Sequence, residues 1–193
     1  MKRFLPLIFI SVFLILLSAC SSIPKEGHPI KDFTFTNQDG EKFGLEDLIG
    51  KVWVADFVFT NCTTVCPPMS SNKSQLQQMV KDEGLKDVHF VSFSVDPKFD
   101  TPDVLKKFYG EGFNVDFSTW HSLTGYSQQE IEEFALENFK THVKKPRDDD
   151  QVIHGVDFYL VNKRGEVIKD YPGNSDVPLD QMLKDIKDAL KQK

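Results

Sequence analysis

Polar and apolar residues alternate from Asp32 to Thr36, the two-residue period of a half-buried strand. Asn37-Gln38-Asp39-Gly40 is a turn signal, and Glu41-Lys42-Phe43 returns as a second short strand. Glu46 to Gly50 is short and ends in glycine, which predicts a single helical turn. Val52 to Phe59 breaks the alternation. It is almost continuously apolar and rich in β-formers, so it predicts a strand buried on both faces. Pro67-Pro68 then opens a helix, because the first helical positions do not need the N–H that proline lacks. Met69, Leu76, Met79 and Val80 share one face of it, and Gly84 ends it. Val88 to Val95 is the next strand, and Thr101-Pro102-Asp103 starts a helix with a cap, a proline and an acid. Phe117 to Leu123 predicts a strand, and Ser127 caps a helix to Phe139 with Glu130 as its capping-box partner. Gly155 to Asn162 and Glu166 to Asp170 form a hairpin around Lys163-Arg164-Gly165, and Pro178 to Leu190 is a final helix.

Strands alternating with helices imply an α/β layer fold with a largely parallel central sheet. The closing hairpin and helix add an antiparallel edge. The order suits a thioredoxin-like fold: a central mixed sheet flanked by helices, with an added N-terminal β-hairpin.

The first twenty residues follow a different rule. Lys2 and Arg3 precede an apolar run from Leu7 to Leu17, and the run ends in small residues and Cys20. That is the layout of a secretory signal. The run is short for a membrane span, which needs ~20 residues. Leu17-Ser18-Ala19-Cys20 resembles a bacterial lipobox, in which the chain is cut before a cysteine that carries lipid. The expectation is a signal peptide over 1–19, a lipidated Cys20 with a polar tether over 20–29, and one folded domain over 30–193. The alternative is an uncleaved N-terminal anchor with Cys20 uninvolved. Either arrangement puts the domain on the extracytoplasmic side of the membrane.

Composition narrows the function. The chain has 193 residues, is 40% hydrophobic and contains 17 phenylalanines, enough for one sizeable core. Its net charge of −6 and the lack of a basic run exclude nucleic acid as a partner. There is no Walker A loop and no C-x-x-C-H for haem attachment. Asp148-Asp149-Asp150 lacks the alternating acids and glycine of a calcium loop and reads as a solvated loop.

The chemistry concentrates in Asn61 to Pro68, NCTTVCPP, directly after the buried strand. Open α/β sheets place ligands at that end of a strand. Cys66 precedes Pro67 and so lies at or near a helix N-cap, where the helix dipole favours a thiolate. One turn of helix-like backbone would bring Cys62 to the same side, ~6 Å away, within reach of a disulfide after some adjustment. Two thiolates suffice for a soft ion such as Cu(I); Cu(II) wants an imidazole as well. Of the five histidines, His28, His89, His121 and His142 read as surface or structural residues. His154 lies in a loop before a strong strand and could swing onto the cysteine end, but a lone histidine is a weak metal signal, and spacing leaves its role open. Asp96 is either a hydrogen-bond acceptor that orients His154 or a turn acid before Pro97; Met69 is either a soft ligand or core.

FVFTNCTTVCPPM, VSFSVDPKFDTPDVL, HSLTG and VIHGVDFYLVNKRGEV, in this order, resemble the Sco/SenC family, over about residues 28 to 191. The resemblance implies a thioredoxin-like fold with a copper site, Cu(I) or Cu(II), at Cys62, Cys66 and His154, the two cysteines also forming a redox disulfide. It further implies assembly of the dinuclear copper centre of cytochrome c oxidase, by copper delivery, by thiol–disulfide exchange, or by both. The implied partners are the oxidase subunit carrying that centre, a thiol reductant, and the membrane through the lipid anchor. Gly155, where many members have Ser or Thr, departs from the pattern and is expected to loosen the His154 loop. The rival functions are a general extracytoplasmic thiol–disulfide oxidoreductase and a thiol peroxidase. Thr63-Thr64-Val65-Cys66-Pro67 resembles a peroxiredoxin site, but Phe59 stands where that family has proline.

Overall fold

The computed structural model describes residues 23–147 and 151–192. The expected signal peptide, Cys20 and the Asp148-Asp149-Asp150 run lie outside the described residues. Among the described residues, no helix is long and apolar enough to cross a membrane.

Among the described residues, eight strands appear in chain order: β1 (His28–Pro29), β2 (Thr34–Thr36), β3 (Lys42–Gly44), β4 (Val52–Val58), β5 (Val88–Ser94), β6 (Trp120–Leu123), β7 (Asp157–Val161) and β8 (Glu166–Pro172). The same residues form four α-helices: α1 (Cys66–Asp82), α2 (Pro102–Phe113), α3 (Gln128–Phe139) and α4 (Leu179–Lys191). A 3-10 turn over Leu45–Asp47 fills the place of the expected helical turn. Six strands form one mixed sheet in the order β1-β8-β7-β4-β5-β6, and β2 and β3 form the separate hairpin. β4 runs parallel to β5, and β5 to β6, while β7 is antiparallel to β4. The hairpin is tied to the main sheet by Thr36 and Thr124, which exchange two backbone hydrogen bonds of 2.9 Å.

All seven residues of β4 are buried, as its unbroken apolar run requires. Its odd positions meet the aromatic layer on α3: Trp53 and Phe57 both pack edge-on to Phe139. Phe93 of β5 stacks on Phe57 and meets Phe134 of α3. The even position Asp56 faces α1 and pairs with Lys73. Burying an apolar side chain the size of Phe57 or Phe93 stabilises by ~1.5–3 kcal/mol. The Ser127–Glu130 capping box forms in both directions, and the Thr101 hydroxyl accepts the Val104 amide.

Two elements differ from expectation. Residues 117–119 form a turn held by the Asp116 carbonyl and carboxylate, so β6 begins only at Trp120. The stretch expected to be a tether joins the fold: Ile23 is buried, and His28 and Pro29 pair with Val167 and Glu166 of β8. A two-residue edge strand has no periodicity to read.

His89 Nδ1 and His121 Nε2 share a hydrogen bond of 3.0 Å across β5 and β6, with ring planes 15° apart. Burial pushes both pKa values down to about 4, with the neighbouring His89 and Lys51 adding to the effect on His121. The unfolded chain therefore binds more protons between pH ~6.5 and ~4, and these groups lose stability for the fold as pH falls through that window. Urea midpoints at pH 7 and pH 4.5 should differ more for the wild type than for His89→Gln/His121→Asn; equal differences would remove the pair from the acid response.

Candidate metal centre

β4 delivers the chain to the cysteine loop. Thr60 fastens that loop: its amide and hydroxyl both donate to the carboxylate of buried Asp100, the hydroxyl at 2.5 Å. Ser94, at the end of β5, donates to the same carboxylate at 2.6 Å. Asp100 was not singled out from the sequence, although it stands in the FDTP stretch beside the acids that were. Burial raises its pKa, against the hydrogen bonds from Ser94 and Thr60.

α1 starts at Cys66 itself, with Val65 as N-cap, one residue earlier than the prolines suggest. This places the Cys66 amide so that it donates to Cys62 Sγ at 3.4 Å. The helix N-terminus thus serves the other thiol. Burial opposes the Cys62 thiolate, but hydrogen bonds from Cys66 and Thr64 outweigh it and lower the pKa. Cys66 has no exposed surface, and burial pushes its pKa far above the ordinary thiol value, with the neighbouring Cys62 adding to the rise. The helix N-terminus was expected to favour a thiolate at Cys66; instead burial raises the Cys66 pKa, and the N–H of Cys66 points at Cys62.

His154 arrives from the opposite end of the chain. Lys144 and Ile153 exchange backbone hydrogen bonds of 2.8 and 2.9 Å, and Gly173 donates to the Val156 carbonyl. Between these ties His154 Nε2 lies 3.4 Å from Cys66 Sγ. Nδ1 lies 2.7 Å from the Gly155 carbonyl, which can only accept, so Nδ1 carries the proton and Nε2 presents its lone pair to the sulfur. Phe59 packs edge-on against the ring. Burial lowers the His154 pKa despite the Gly155 carbonyl, keeping the imidazole neutral at neutral pH.

The donor atoms of Cys62, Cys66 and His154 all lie within 4.8 Å of one another. Ligands ~2.0–2.3 Å from one ion stand ~4 Å apart, so a small contraction closes the set. Both cysteines are free. The two sulfurs and one imidazole suit copper in either oxidation state.

The structure does not bring Asp96 to His154. Its carboxylate accepts from Lys145 Nζ at 2.5 Å, and it is the Gly155 carbonyl that accepts the hydrogen bond from His154 Nδ1–H. Asp96 is a loop tie, not an orienting acceptor. Met69 is core, with no exposed surface. Gly155 does not loosen the loop: a Cβ there would stand 2.2 Å from Thr141 Oγ1, so the backbone is already in close contact.

The SCO1/SenC family model matches residues 23–191. The chain belongs to that family. Among solved SCO1/SenC structures, a lipoprotein from Bacillus anthracis str. Ames is 52% identical, covering 83% of this chain and 94% of its own, with a TM-score of 0.80. BsSco, described as a member of the Sco family of cytochrome c oxidase assembly proteins and as holding a disulfide switch, is 50% identical over 89% of this chain and 99% of its own, with a TM-score of 0.81. ScoI of Arabidopsis thaliana, solved with copper bound, is 25% identical over 84% of this chain and 98% of its own, with a TM-score of 0.69. The thioredoxin-like fold expected of the chain is the fold these relatives share.

Proposed function

We propose that this SCO1/SenC protein binds copper through Cys62, Cys66 and His154. Its role is to assemble the dinuclear copper centre of cytochrome c oxidase, acting on the subunit that carries it. The observation that carries the reading is the convergence of two sulfurs and one imidazole lone pair at the end of β4. Relatives described as oxidase assembly proteins and as copper-bound support it. The lipobox ending in Cys20 and the B. anthracis lipoprotein support a lipid anchor on the extracytoplasmic face.

Copper bound here would supply a soft, thiolate-held ion that an acceptor's own thiolates can take over. The chain's own residues do the rest. His154 holds its proton at Nδ1 and offers Nε2. Phe59 covers one side of the ring, and burial of Cys66 keeps water from its sulfur. In thiol–disulfide exchange, the Cys62 thiolate attacks a partner disulfide and one partner thiolate leaves. Cys66 then gives its proton to the released partner thiolate and attacks the Cys62 sulfur of the mixed disulfide, releasing the second partner thiolate. The partner gains two electrons, and Cys62–Cys66 becomes a disulfide that an external thiol reductant must reopen. That disulfide has no thiolates to offer, so oxidation gates metal binding.

A Cu(II) titration of the reduced protein, followed by visible absorption and EPR, tests the reading. The expected result is a tight one-to-one complex with a thiolate-to-copper charge-transfer band, absent from the oxidised protein and weakened in His154→Ala. No tight complex, with Cys62 and Cys66 still exchanging disulfides, would favour a general oxidoreductase.

A further inference from the structure

Gly155 poses a steric problem that the metal ligands do not explain. Its backbone is not left-handed, since the positive-φ glycines are Gly40, Gly50, Gly84, Gly125 and Gly165. Conformational freedom is therefore not what glycine provides here. Space is. A Cβ at this position would lie 2.2 Å from Thr141 Oγ1, 3.4 Å from Thr141 Cβ and 3.5 Å from the Tyr159 hydroxyl. Thr141 is anchored: it is buried, it follows the Lys140 cap of α3, and its amide bonds the Ala135 carbonyl. The hydroxyl of Tyr159, a buried residue of β7, closes the other side of the same space. Of the two other staggered rotamers of Thr141, one would put its methyl group into the same space, so only one clears it.

We infer that Thr141 and Gly155 interlock to aim the His154 ring at the cysteines, which makes Thr141 a positioning residue of the metal centre. The interlock fixes the main chain of Gly155. The Gly155 carbonyl accepts the Nδ1 proton of His154 at 2.7 Å, and this bond sets both the tautomer and the ring direction that put Nε2 3.4 Å from Cys66 Sγ. Thr141 thus acts on the site through one carbonyl, without touching a ligand atom. This deepens the copper reading and rests on it only for the second of two readouts.

The first readout needs no metal. Long-range proton–nitrogen NMR of the reduced, metal-free protein reports which nitrogen of His154 carries the proton. The wild type should show a single Nδ1–H form. Gly155→Ala should lose it and bind Cu(II) about tenfold more weakly. Thr141→Ala/Gly155→Ala, which returns the space, should regain the Nδ1–H form and most of the affinity. Thr141→Val, which keeps the bulk, should resemble the wild type at His154. An unchanged tautomer in Gly155→Ala, or a double variant no nearer the wild type than Gly155→Ala, would overturn the interlock. If Gly155→Ala does not fold, the double variant decides: a folded protein with the Nδ1–H form supports the interlock, and an unfolded one or a lost tautomer sinks it. A wild type that takes up no copper would end the copper reading while leaving the tautomer result intact.

Discussion

Lys73→Met is expected to cost the fold ~3–5 kcal/mol, because it strands a buried carboxylate. Lys73 and Asp56 both have no exposed side-chain surface, and they face each other between α1 and β4. The ammonium also donates to Ser92 Oγ at 2.7 Å and to the Val91 carbonyl at 3.2 Å, and it stands 4.3 Å over the Trp120 ring. The group is well satisfied, yet burial still pulls the Lys73 pKa down to about 8 against the pull of Asp56. Replacing both partners by apolar residues of similar volume removes the desolvation penalty together with the attraction. Asp56→Leu/Lys73→Met should therefore recover to near wild-type stability or exceed it. The pH dependence separates the two cases. With a folded pKa near 8 and an ordinary lysine value of 10.5, the unfolded chain holds a proton that the folded protein gives up between those pH values. This group's contribution to stability therefore rises with pH across that window, and the rise should vanish in the double variant. Urea unfolding at pH 7 and pH 10 measures both effects. A Lys73→Met protein within ~1 kcal/mol of wild type would show that the pair does not act as a buried ion pair.

The two thiols should differ in alkylation rate by about a hundredfold or more at pH 7, Cys62 reacting first, since each unit of pKa changes the thiolate fraction tenfold. The Cys62 pKa is lowered by hydrogen bonds from Cys66 and Thr64, whereas burial drives that of Cys66 far upward. Exposure acts in the same direction: Cys62 retains 5% of its surface and Cys66 none. Iodoacetamide labelling of the reduced protein, followed by peptide mass spectrometry, gives the two rates. In urea they should converge, because the asymmetry belongs to the fold. Equal rates in the native protein, or Cys66 reacting first, would reverse the order of attack assigned to disulfide exchange.

Much of this protein is legible locally. The Ser127–Glu130 capping box, the Thr101 cap and the fully buried strand over Val52–Val58 follow from residues a few positions apart, and their physics is equally local. The cysteine pair is legible for the same reason. Asp56 and Lys73 are not. A single acid in an apolar strand and a single lysine on a helix look like surface residues until α1 lies on the sheet. Asp96 leaves two readings open in the sequence, and the fold decides between them: its carboxylate pairs with Lys145, and its carbonyl accepts the Phe99 and Asp100 amides of a turn. The aromatic layer around Phe57, Phe93, Phe134 and Phe139 could be counted in the sequence without being assigned to one face.

By itself the sequence determined the element order, the helix caps, the position of the cysteines after a buried strand, and membership of a copper-associated family through its motifs. Each rests on nearest-neighbour chemistry or on a contiguous pattern. Only the tertiary structure decided that β7 pairs with β4, so that the His154 loop reaches a cysteine 88 residues away. It also decided that Cys62 rather than Cys66 is the acidic thiol, and that Gly155 is tightly packed rather than loose. Burial and the direction of a single N–H or C=O decide these points, and both depend on which distant segments come to share a surface.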